Sequence, residues 1–118
     1  MAEKRSVLVC DDEEGIRESL KLILEKDFDI TFAETGDEAI KAMKTTPIDL
    51  VILDLKMPKK DGLETLRELK KINPKARIII ATGYKSVDTA HEAIKLGASD
   101  YIVKPFDREK IKKVVQSL

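Results

Sequence analysis

The feature that most restricts the fold is an apolar run, Leu50–Leu53, that ends abruptly in an aspartate. A short unbroken run of Leu, Val and Ile is typical of a strand that is buried on both faces. Asp54 follows where this strand is predicted to end, and Pro58 marks a loop soon after. A buried carboxylate is costly unless it has a partner or a function, so Asp54 is the first candidate site residue.

The rest of the chain alternates strand-like and helix-like segments. Strands are predicted at 6–10, 29–33, 50–53, 77–81 and 101–103, and each is followed by apolar residues at helical spacing. Five strands alternating with five helices predict an α/β fold with a parallel sheet covered on both faces by right-handed crossovers. The first, third and fourth strands are continuously apolar and should be central, whereas the other two suit the edges. This ranking predicts a three-layer, doubly wound (βα)5 flavodoxin-like fold with strand order 2-1-3-4-5.

The composition indicates one ordinary globular domain, which we expect to span residues 1–118. The 22 basic and 22 acidic residues cancel, so no overall field favours nucleic acid or a membrane surface as a partner. No apolar segment has membrane-spanning length and no signal peptide is recognisable, so we expect a cytoplasmic location. Cys10 lies in an apolar run and is expected to be a small buried hydrophobe.

Polar residues suited to chemistry follow four of the five predicted strands. Asp11 and Asp12 follow the first strand, Asp54 the third, Thr82 the fourth and Lys104 the fifth. Each alone would be an ordinary helix cap, turn residue or surface charge. In an open parallel sheet, however, ligands bind at the carboxyl ends of the strands, near the point where the strand order reverses. We therefore expect three carboxylates, a hydroxyl and an ammonium to meet in one crevice.

Three carboxylates in one crevice repel one another, and burial disfavours their charged forms. A hard divalent cation resolves this conflict, and Mg²⁺ commonly takes one or two carboxylates, several waters and a phosphate oxygen. Asp12 and Asp54 are the best candidates for direct ligands, and Asp11 is expected to act directly or through water. The backbone carbonyl of Lys56 is a further candidate. We therefore predict an Mg²⁺ site, in which Mn²⁺ is expected to substitute.

The same residues suit phosphoryl transfer, which needs positioning and charge neutralisation of the equatorial phosphoryl oxygens more than covalent help. Mg²⁺ can take one oxygen, the Lys104 ammonium a second, and the Thr82 hydroxyl or nearby backbone N–H groups the third. Asp54 can then attack phosphorus and become an aspartyl phosphate, a recognised covalent role for a carboxylate. The crevice is therefore predicted to hold a phosphoacceptor aspartate.

Taken in order, these motifs resemble the receiver domain of two-component response regulators over essentially the whole chain. The motifs that carry the resemblance are Val9-Cys10-Asp11-Asp12, Asp54-Leu55-Lys56-Met57-Pro58, Asp61-Gly62, Ala81-Thr82-Gly83, Gly97-Ala98 and Lys104-Pro105-Phe106. The resemblance implies the doubly wound fold, phosphorylation of Asp54, metal binding by Asp11 and Asp12, and phosphoryl contacts from Thr82 and Lys104. It also implies a cis Lys104–Pro105 peptide bond, because the corresponding bond is often cis in the family.

The resemblance further implies a switch and its partners. Phosphorylation of Asp54 by a histidine kinase or a phosphotransfer protein is expected to draw the Thr82 hydroxyl towards the phosphoryl group, so that Tyr101 turns inward. The surface of the fourth helix, fifth strand and fifth helix would change, to control an output domain or a downstream effector. A phosphorylation-dependent homodimer is also expected. Lys56 and Tyr84 lie where the family tunes phosphoaspartate hydrolysis, and the bulk of Tyr84 predicts a phosphoryl lifetime of minutes or longer.

Within the family, the segments 83–87 and 100–107 look most like receivers of σ54-type transcription activators. The main interpretation is a switch with weak self-catalysed phosphorylation and dephosphorylation, and not a turnover enzyme. One alternative is an aspartyl-nucleophile phosphatase, which usually needs a second acid where this chain has Lys56. Another is a flavin-binding flavodoxin. Such a protein needs a phosphate-binding loop rich in hydroxyl groups and glycine after the first strand, where this chain has acidic residues that would repel a phosphate. A third is a degenerate receiver that acts only as a phosphorylation-independent docking module.

Overall fold

Five strands and five helices alternate along the chain, as the sequence predicts. The computed structural model describes residues 4–56, 61–83 and 87–116. The strands are β1 (Arg5–Cys10), β2 (Phe28–Ala33), β3 (Leu50–Leu53), β4 (Arg77–Thr82) and β5 (Asp100–Val103). The helices are α1 (Glu14–Leu24), α2 (Gly36–Thr45), α3 (Gly62–Ile72), α4 (Val87–Lys95) and α5 (Arg108–Gln116). Across these described ranges, none of the helices is both long and apolar enough to cross a membrane.

The strands form one parallel sheet in the order β2-β1-β3-β4-β5. This order confirms the prediction, including the assignment of the second and fifth strands to the edges. Burial explains this order: β3 is buried at every position, whereas every residue of β2 except the last, Ala33, is exposed or partly buried. The middle strand β3 is covered on both faces of the sheet, so all four of its residues are apolar.

Two separate cores lie on the two faces of the sheet, because successive side chains of a strand point to opposite faces. Leu8 and Cys10 of β1 belong to the core beneath α2, α3 and α4. Val7 and Val9 belong to the opposite core, which α1 and α5 cover. Cys10 is fully buried, and burial raises the pKa of its thiol, which agrees with the predicted role as a small hydrophobe.

Helix starts follow the predicted capping residues, with two differences in detail. The Thr35 hydroxyl oxygen accepts a hydrogen bond from the Glu38 N–H at 3.2 Å, as the capping-box spacing predicts. The Glu38 carboxylate accepts from the N–H of Glu34, one residue before the cap. The spacing of Asp61 and Glu64 predicts a second capping box, in which Asp61 would accept from the N–H of Glu64. Asp61 instead accepts from the N–H of Leu63, two residues on, at 2.9 Å.

Strand bounds differ from the predicted ones by single residues. β1, β2 and β5 each begin one residue earlier than predicted, because Arg5 pairs with Phe28 and Asp100 pairs with Ile79 in the ladder. β4 extends to Thr82, whose carbonyl accepts the N–H of Lys104 at 2.8 Å. Thr82 is therefore the last strand residue and not the first loop residue. This extension buries its hydroxyl at the carboxyl edge of the sheet.

The backbone of Gly97 has a conformation that an alanine would strain. Its φ is +110°, and an added Cβ would lie 2.9 Å from the Cε atom of Lys70. Gly97→Ala is therefore expected to lower the free energy of unfolding by about 1–3 kcal/mol. Urea denaturation measures the change.

The matched control is Gly15→Ala, because nothing lies within 4 Å of a Cβ added at this helical position. Gly15 is the second residue of α1, where the preference for alanine over glycine is smaller than in a helix interior, so this variant is expected to gain up to about 0.5 kcal/mol. Equal stabilities of the two variants would contradict the strain assigned to Gly97.

Candidate functional site

The candidate site lies at the carboxyl edge of the sheet, where the neighbouring strand fixes the backbone of each polar residue. The Asp11 N–H donates to the carbonyl of the last β2 residue at 3.0 Å. The Asp54 N–H donates to the carbonyl of Cys10 at 2.9 Å, and the Lys104 N–H donates to that of Thr82 at 2.8 Å. These bonds continue the sheet ladder by one step, so the functional side chains start from rigid backbone.

Three carboxylates meet at this edge, which confirms the predicted convergence. Asp11, Asp12 and Asp54 each offer an oxygen, and these oxygens lie within 4.8 Å of one another. Asp11 and Asp54 are buried, at 3 and 4 % exposure, whereas Asp12 is exposed. Oxygen donors in such a cluster are the ligand type that hard divalent cations prefer. The cluster therefore forms an acidic pocket that could hold a metal ion.

The Lys104 ammonium bridges the two buried carboxylates. Its Nζ atom lies 2.8 Å from Asp11 Oδ2 and 3.0 Å from Asp54 Oδ2. A third carboxylate, that of Glu13, approaches the same nitrogen at 3.5 Å. The Lys104 side chain is largely buried, so these contacts are only weakly screened by water. One cation is thus shared among the acidic groups of the pocket.

Burial and neighbouring charge act on the proton affinities in this pocket. Burial raises the pKa of the Asp11 carboxyl, and the nearby Asp54 carboxylate raises it further, although bonds from Lys104 and from the Glu13 N–H oppose the change. For Lys104, burial alone would lower the pKa of the ammonium, but its bonds to Asp11 and Asp54 outweigh this and raise it. The lysine therefore stays charged, and the pocket retains excess negative charge.

Each buried carboxylate is oriented by one lysine contact and one backbone N–H. Asp11 Oδ1 accepts from the Glu13 N–H at 2.9 Å, and Asp54 Oδ1 accepts from the Lys56 N–H at 3.0 Å. The Lys56 N–H belongs to the peptide that joins Leu55 to Lys56, and Gly62 packs closely against this peptide. A Cβ added at Gly62 would lie 2.4 Å from the Leu55 Cα atom. Only glycine allows the start of α3 to approach the β3 end so closely.

The two predicted switch residues lie on one face of neighbouring strands. In the β4–β5 ladder, Tyr101 pairs with Ile80, and Thr82 pairs with Val103. Thr82 and Tyr101 are therefore diagonal neighbours on the face covered by α3 and α4. Thr82 is fully buried, and Tyr101 is half-buried against the same core. The two residues are thus close in the sheet, and their role as a switch stays a prediction.

Other predicted residues have mixed outcomes. The Lys104–Pro105 peptide bond is cis, the isomer that the family resemblance implies. Lys56 is exposed, and its N–H orients Asp54. The metal-ligand role of its carbonyl stays a prediction. Tyr84 lies outside the described residues, so its role in tuning hydrolysis also stays a prediction.

Two further residues, one in α1 and one at its cap, contact the site but were not predicted to do so from the sequence. Glu13 reaches Lys104, whereas its position suggested only a favourable interaction with the helix dipole. Arg17 donates from Nη1 to the carbonyl of Asp11 at 2.9 Å. The available signal was their spacing of one helical turn, which places both side chains on the side of α1 that faces the strand ends.

A doubly wound α/β domain with a buried aspartate pair, a third carboxylate and a bridging lysine at its carboxyl edge defines a narrow class of proteins. The family model described as response regulator receiver domain matches residues 7–116. The chain therefore belongs to the receiver domain family of two-component response regulators.

Known proteins resemble this chain along nearly all of its length. It is 39 % identical over 110 residues to the transcriptional regulatory protein ZraR of Klebsiella oxytoca, covering 92 % of this chain but 25 % of that relative. The chain thus spans about a quarter of this curated relative. A CheY-like receiver domain protein from Methanospirillum hungatei superposes with a TM-score of 0.94 at 28 % identity, covering 98 % and 93 % of the two chains.

A third similar protein is a response regulator from Burkholderia pseudomallei. Its crystal structure was solved with a phosphorylated aspartic acid, a calcium ion and citrate. It matches with a TM-score of 0.86 and 32 % identity, over 97 % of this chain and 72 % of that one. The similarity therefore extends to a relative that carries a phosphoaspartate.

Asp54→Asn is expected to stabilise the metal-free domain, because it removes one negative charge from the acidic pocket. Two like charges about 4 Å apart near a protein surface repel by about 4 kcal/mol. The amide oxygen can accept only one of the two bonds that the carboxylate accepts, which offsets much of this gain. A net gain on the order of 1 kcal/mol is expected, measured by thermal unfolding in excess chelator.

Asp29→Asn is the control, since Asp29 is an exposed carboxylate on β2 and its removal should change stability by less than about 0.5 kcal/mol. Added Mg²⁺ should stabilise the unmodified domain more than the Asp54→Asn variant. A lower melting temperature for Asp54→Asn in chelator would show that the Lys104 contact outweighs the repulsion.

Proposed function

We propose that this domain is a phosphorylation switch that accepts a phosphoryl group on Asp54 from the phosphohistidine of a sensor histidine kinase or a phosphotransfer protein. The observation that carries the proposal is the position of Lys104, bonded to both Asp11 and Asp54 within a cluster of three carboxylates. A structural ion pair needs one carboxylate per ammonium. The surplus acids suit a site that also receives a cation and a phosphoryl group.

The donor set fits Mg²⁺, with Mn²⁺ expected to substitute. Asp11, Asp12 and Asp54 supply clustered carboxylate oxygens, and the Lys56 carbonyl is a further candidate ligand. When bound, Mg²⁺ would neutralise carboxylate charge and bind one oxygen of the transferring phosphoryl group. The calcium ion present with the phosphorylated aspartate of the Burkholderia regulator supports a divalent-cation site in this pocket.

Each residue of the site has a separate role in the transfer of the phosphoryl group. A carboxylate oxygen of Asp54 forms the bond to phosphorus while the bond from phosphorus to the histidine nitrogen breaks and the imidazole leaves with the electron pair. The Lys56 N–H holds one Asp54 oxygen and so limits rotation of the nucleophile. Lys104 exchanges its bond to Asp54 for one to a phosphoryl oxygen, and the Thr82 hydroxyl binds another. The protein therefore supplies positioning and charge, and not a turnover cycle for small substrates.

The output of the switch is expected on the surface of α4, β5 and α5. Movement of the Thr82 hydroxyl towards the phosphoryl group would free space for Tyr101, its diagonal neighbour on β5. The phosphoryl group acts only by binding one of two conformations more tightly, so the change is a shift of populations. The changed surface would control an output domain, a separate effector or a phosphorylation-dependent homodimer. A role in transcription regulation is supported by the similarity to ZraR.

Incubation with acetyl phosphate and Mg²⁺ is expected to add one phosphoryl group to the domain, seen by intact mass. The adduct should be stable in acid and labile in base, as an acyl phosphate is. It should be absent in excess chelator and in Asp54→Ala, but present in the exposed-carboxylate control Asp29→Ala. An adduct on Asp54→Ala would overturn the assignment of the phosphoacceptor. No adduct under any condition would replace the proposal with a receiver that acts by docking alone.

The phosphoryl group is expected to remain on Asp54 for minutes or longer, because the bulk of Tyr84 would hinder the in-line approach of water. Loss of the adduct from the isolated phosphoprotein measures the lifetime. Tyr84→Ala should shorten it, whereas Tyr84→Phe, which keeps the ring, should leave it nearly unchanged. Decay of the unmodified phosphoprotein within seconds would contradict the prediction.

A further inference from the structure

We infer that Arg17 is a positioning residue for the metal-binding end of the site, acting through the backbone of Asp11. The inference rests on the proposed function, because it assigns a role toward the cation that the carboxylates would hold. It starts from a contact inside the chain: Arg17 Nη1 donates to the Asp11 carbonyl oxygen at 2.9 Å. The Arg17 side chain is 18 % exposed, so this bond is largely shielded from water.

The Asp11 carbonyl needs a partner because the strand ladder ends at this residue. The Asp11 N–H still has one, since it donates to the carbonyl of Ala33, the last residue of β2. No further β2 residue follows to donate to the carbonyl, and a carbonyl buried without a donor costs about 1–3 kcal/mol. Arg17 supplies the donor, so the Asp11 backbone is held at both its N–H and its carbonyl.

A second contact fixes the guanidinium itself. Arg17 Nη2 lies 3.5 Å from Glu34 Oε1, on the segment that follows β2. The Glu34 N–H in turn donates to the Glu38 carboxylate at the start of α2. The guanidinium therefore joins the end of β1 to the end of β2 with two of its nitrogens, a geometry for which a planar fork of donors is suited.

The held peptide is the one that links the two acidic residues of the cluster. Its carbonyl belongs to Asp11 and its nitrogen to Asp12, so its orientation sets the directions in which both side chains leave the backbone. Mg²⁺ demands near-ideal octahedral ligand geometry, whereas Ca²⁺ accepts irregular arrangements. Loss of the Arg17 bond should therefore weaken Mg²⁺ binding more than Ca²⁺ binding.

The sign of the effect separates positioning from simple electrostatics. Arg17 carries a positive charge near a cation site, so its removal would strengthen binding of any divalent cation if charge alone acted. A positioning role predicts the opposite change. Partners that orient metal ligands typically contribute about 10-fold or more to affinity, so Arg17→Met is expected to weaken Mg²⁺ binding about 10-fold.

The test is calorimetric titration of Mg²⁺ and of Ca²⁺ into the unmodified domain, Arg17→Met and Lys21→Met. Lys21 is an exposed residue one helical turn further along α1. Its variant also removes one positive charge from this helix, but away from the site. We expect weaker Mg²⁺ binding, and a smaller loss for Ca²⁺, in Arg17→Met alone. Unchanged or tighter Mg²⁺ binding in that variant, or an equal loss in Lys21→Met, would overturn the inference.

Two further variants keep the result decisive. Glu34→Gln leaves the bond to Asp11 in place and should retain most of the Mg²⁺ affinity; a loss as large as that of Arg17→Met would assign the effect to the ion pair and overturn the inference. If Arg17→Met does not fold, Arg17→Gln replaces it, because the glutamine side chain is polar but two atoms shorter and cannot span the distance that Arg17 Nη1 covers to the Asp11 carbonyl. Its Mg²⁺ affinity should fall below that of the unmodified domain, and an unchanged affinity would again overturn the inference.

Failure of the inference is distinguishable from failure of the proposed function. If the unmodified domain neither binds Mg²⁺ nor forms the Asp54 adduct, the phosphoacceptor proposal fails and the role of Arg17 fails with it. If the unmodified domain does both and Arg17→Met binds Mg²⁺ equally well, only the role of Arg17 is overturned.

Discussion

The contact on which the site depends is the buried bridge from Lys104 to Asp11 and Asp54. Removing charged groups from water costs several kcal/mol for each ion, and the cost is recovered only where geometry and additional hydrogen bonds are favourable. The bridge meets that condition because each carboxylate also accepts a backbone N–H. The strand order makes it possible: β5 lies two positions from β3, and a long lysine side chain is needed to cross the end of β4, where the small residue Thr82 lies.

The bridge leaves the pocket with more negative than positive charge. Lys104 is the cation that bonds the two buried carboxylates, against the charges of Asp11, Asp12 and Asp54. Burial is the main cause of the raised pKa of Asp11, and the nearby Asp54 carboxylate adds to it. Selection for stability alone would favour fewer acids, because unpaired charge in a low-dielectric site is unfavourable. Retained repulsion of this kind is typical of functional sites, where a ligand supplies the missing charge.

Much of the fold and part of the site were predictable because they depend on local patterns. The apolar runs that end at Cys10 and Leu53 predicted buried central strands, and the residues after them predicted the acidic pocket. Arg17 was not predictable in the same way. Its role depends on two features. β2 ends at Ala33, so no further β2 residue can donate to the Asp11 carbonyl, and the direction of α1 brings Arg17 to that carbonyl. Tertiary packing decides both features.

The two sides of the site differ in how tightly their residues are held. On the β1 side, the Asp11 backbone is bonded at its N–H and at its carbonyl, so this side can change little without breaking buried hydrogen bonds. On the β5 side, Tyr101 is only half-buried and borders a groove of about 450 Å³ that Phe106 and Lys110 also line. A side chain with open space beside it can change rotamer at low cost, whereas a close-packed one cannot. This asymmetry supports the proposed switch: phosphorylation of Asp54 would change the conformation of β5 and α5, while the end of the site that would hold the metal keeps its geometry.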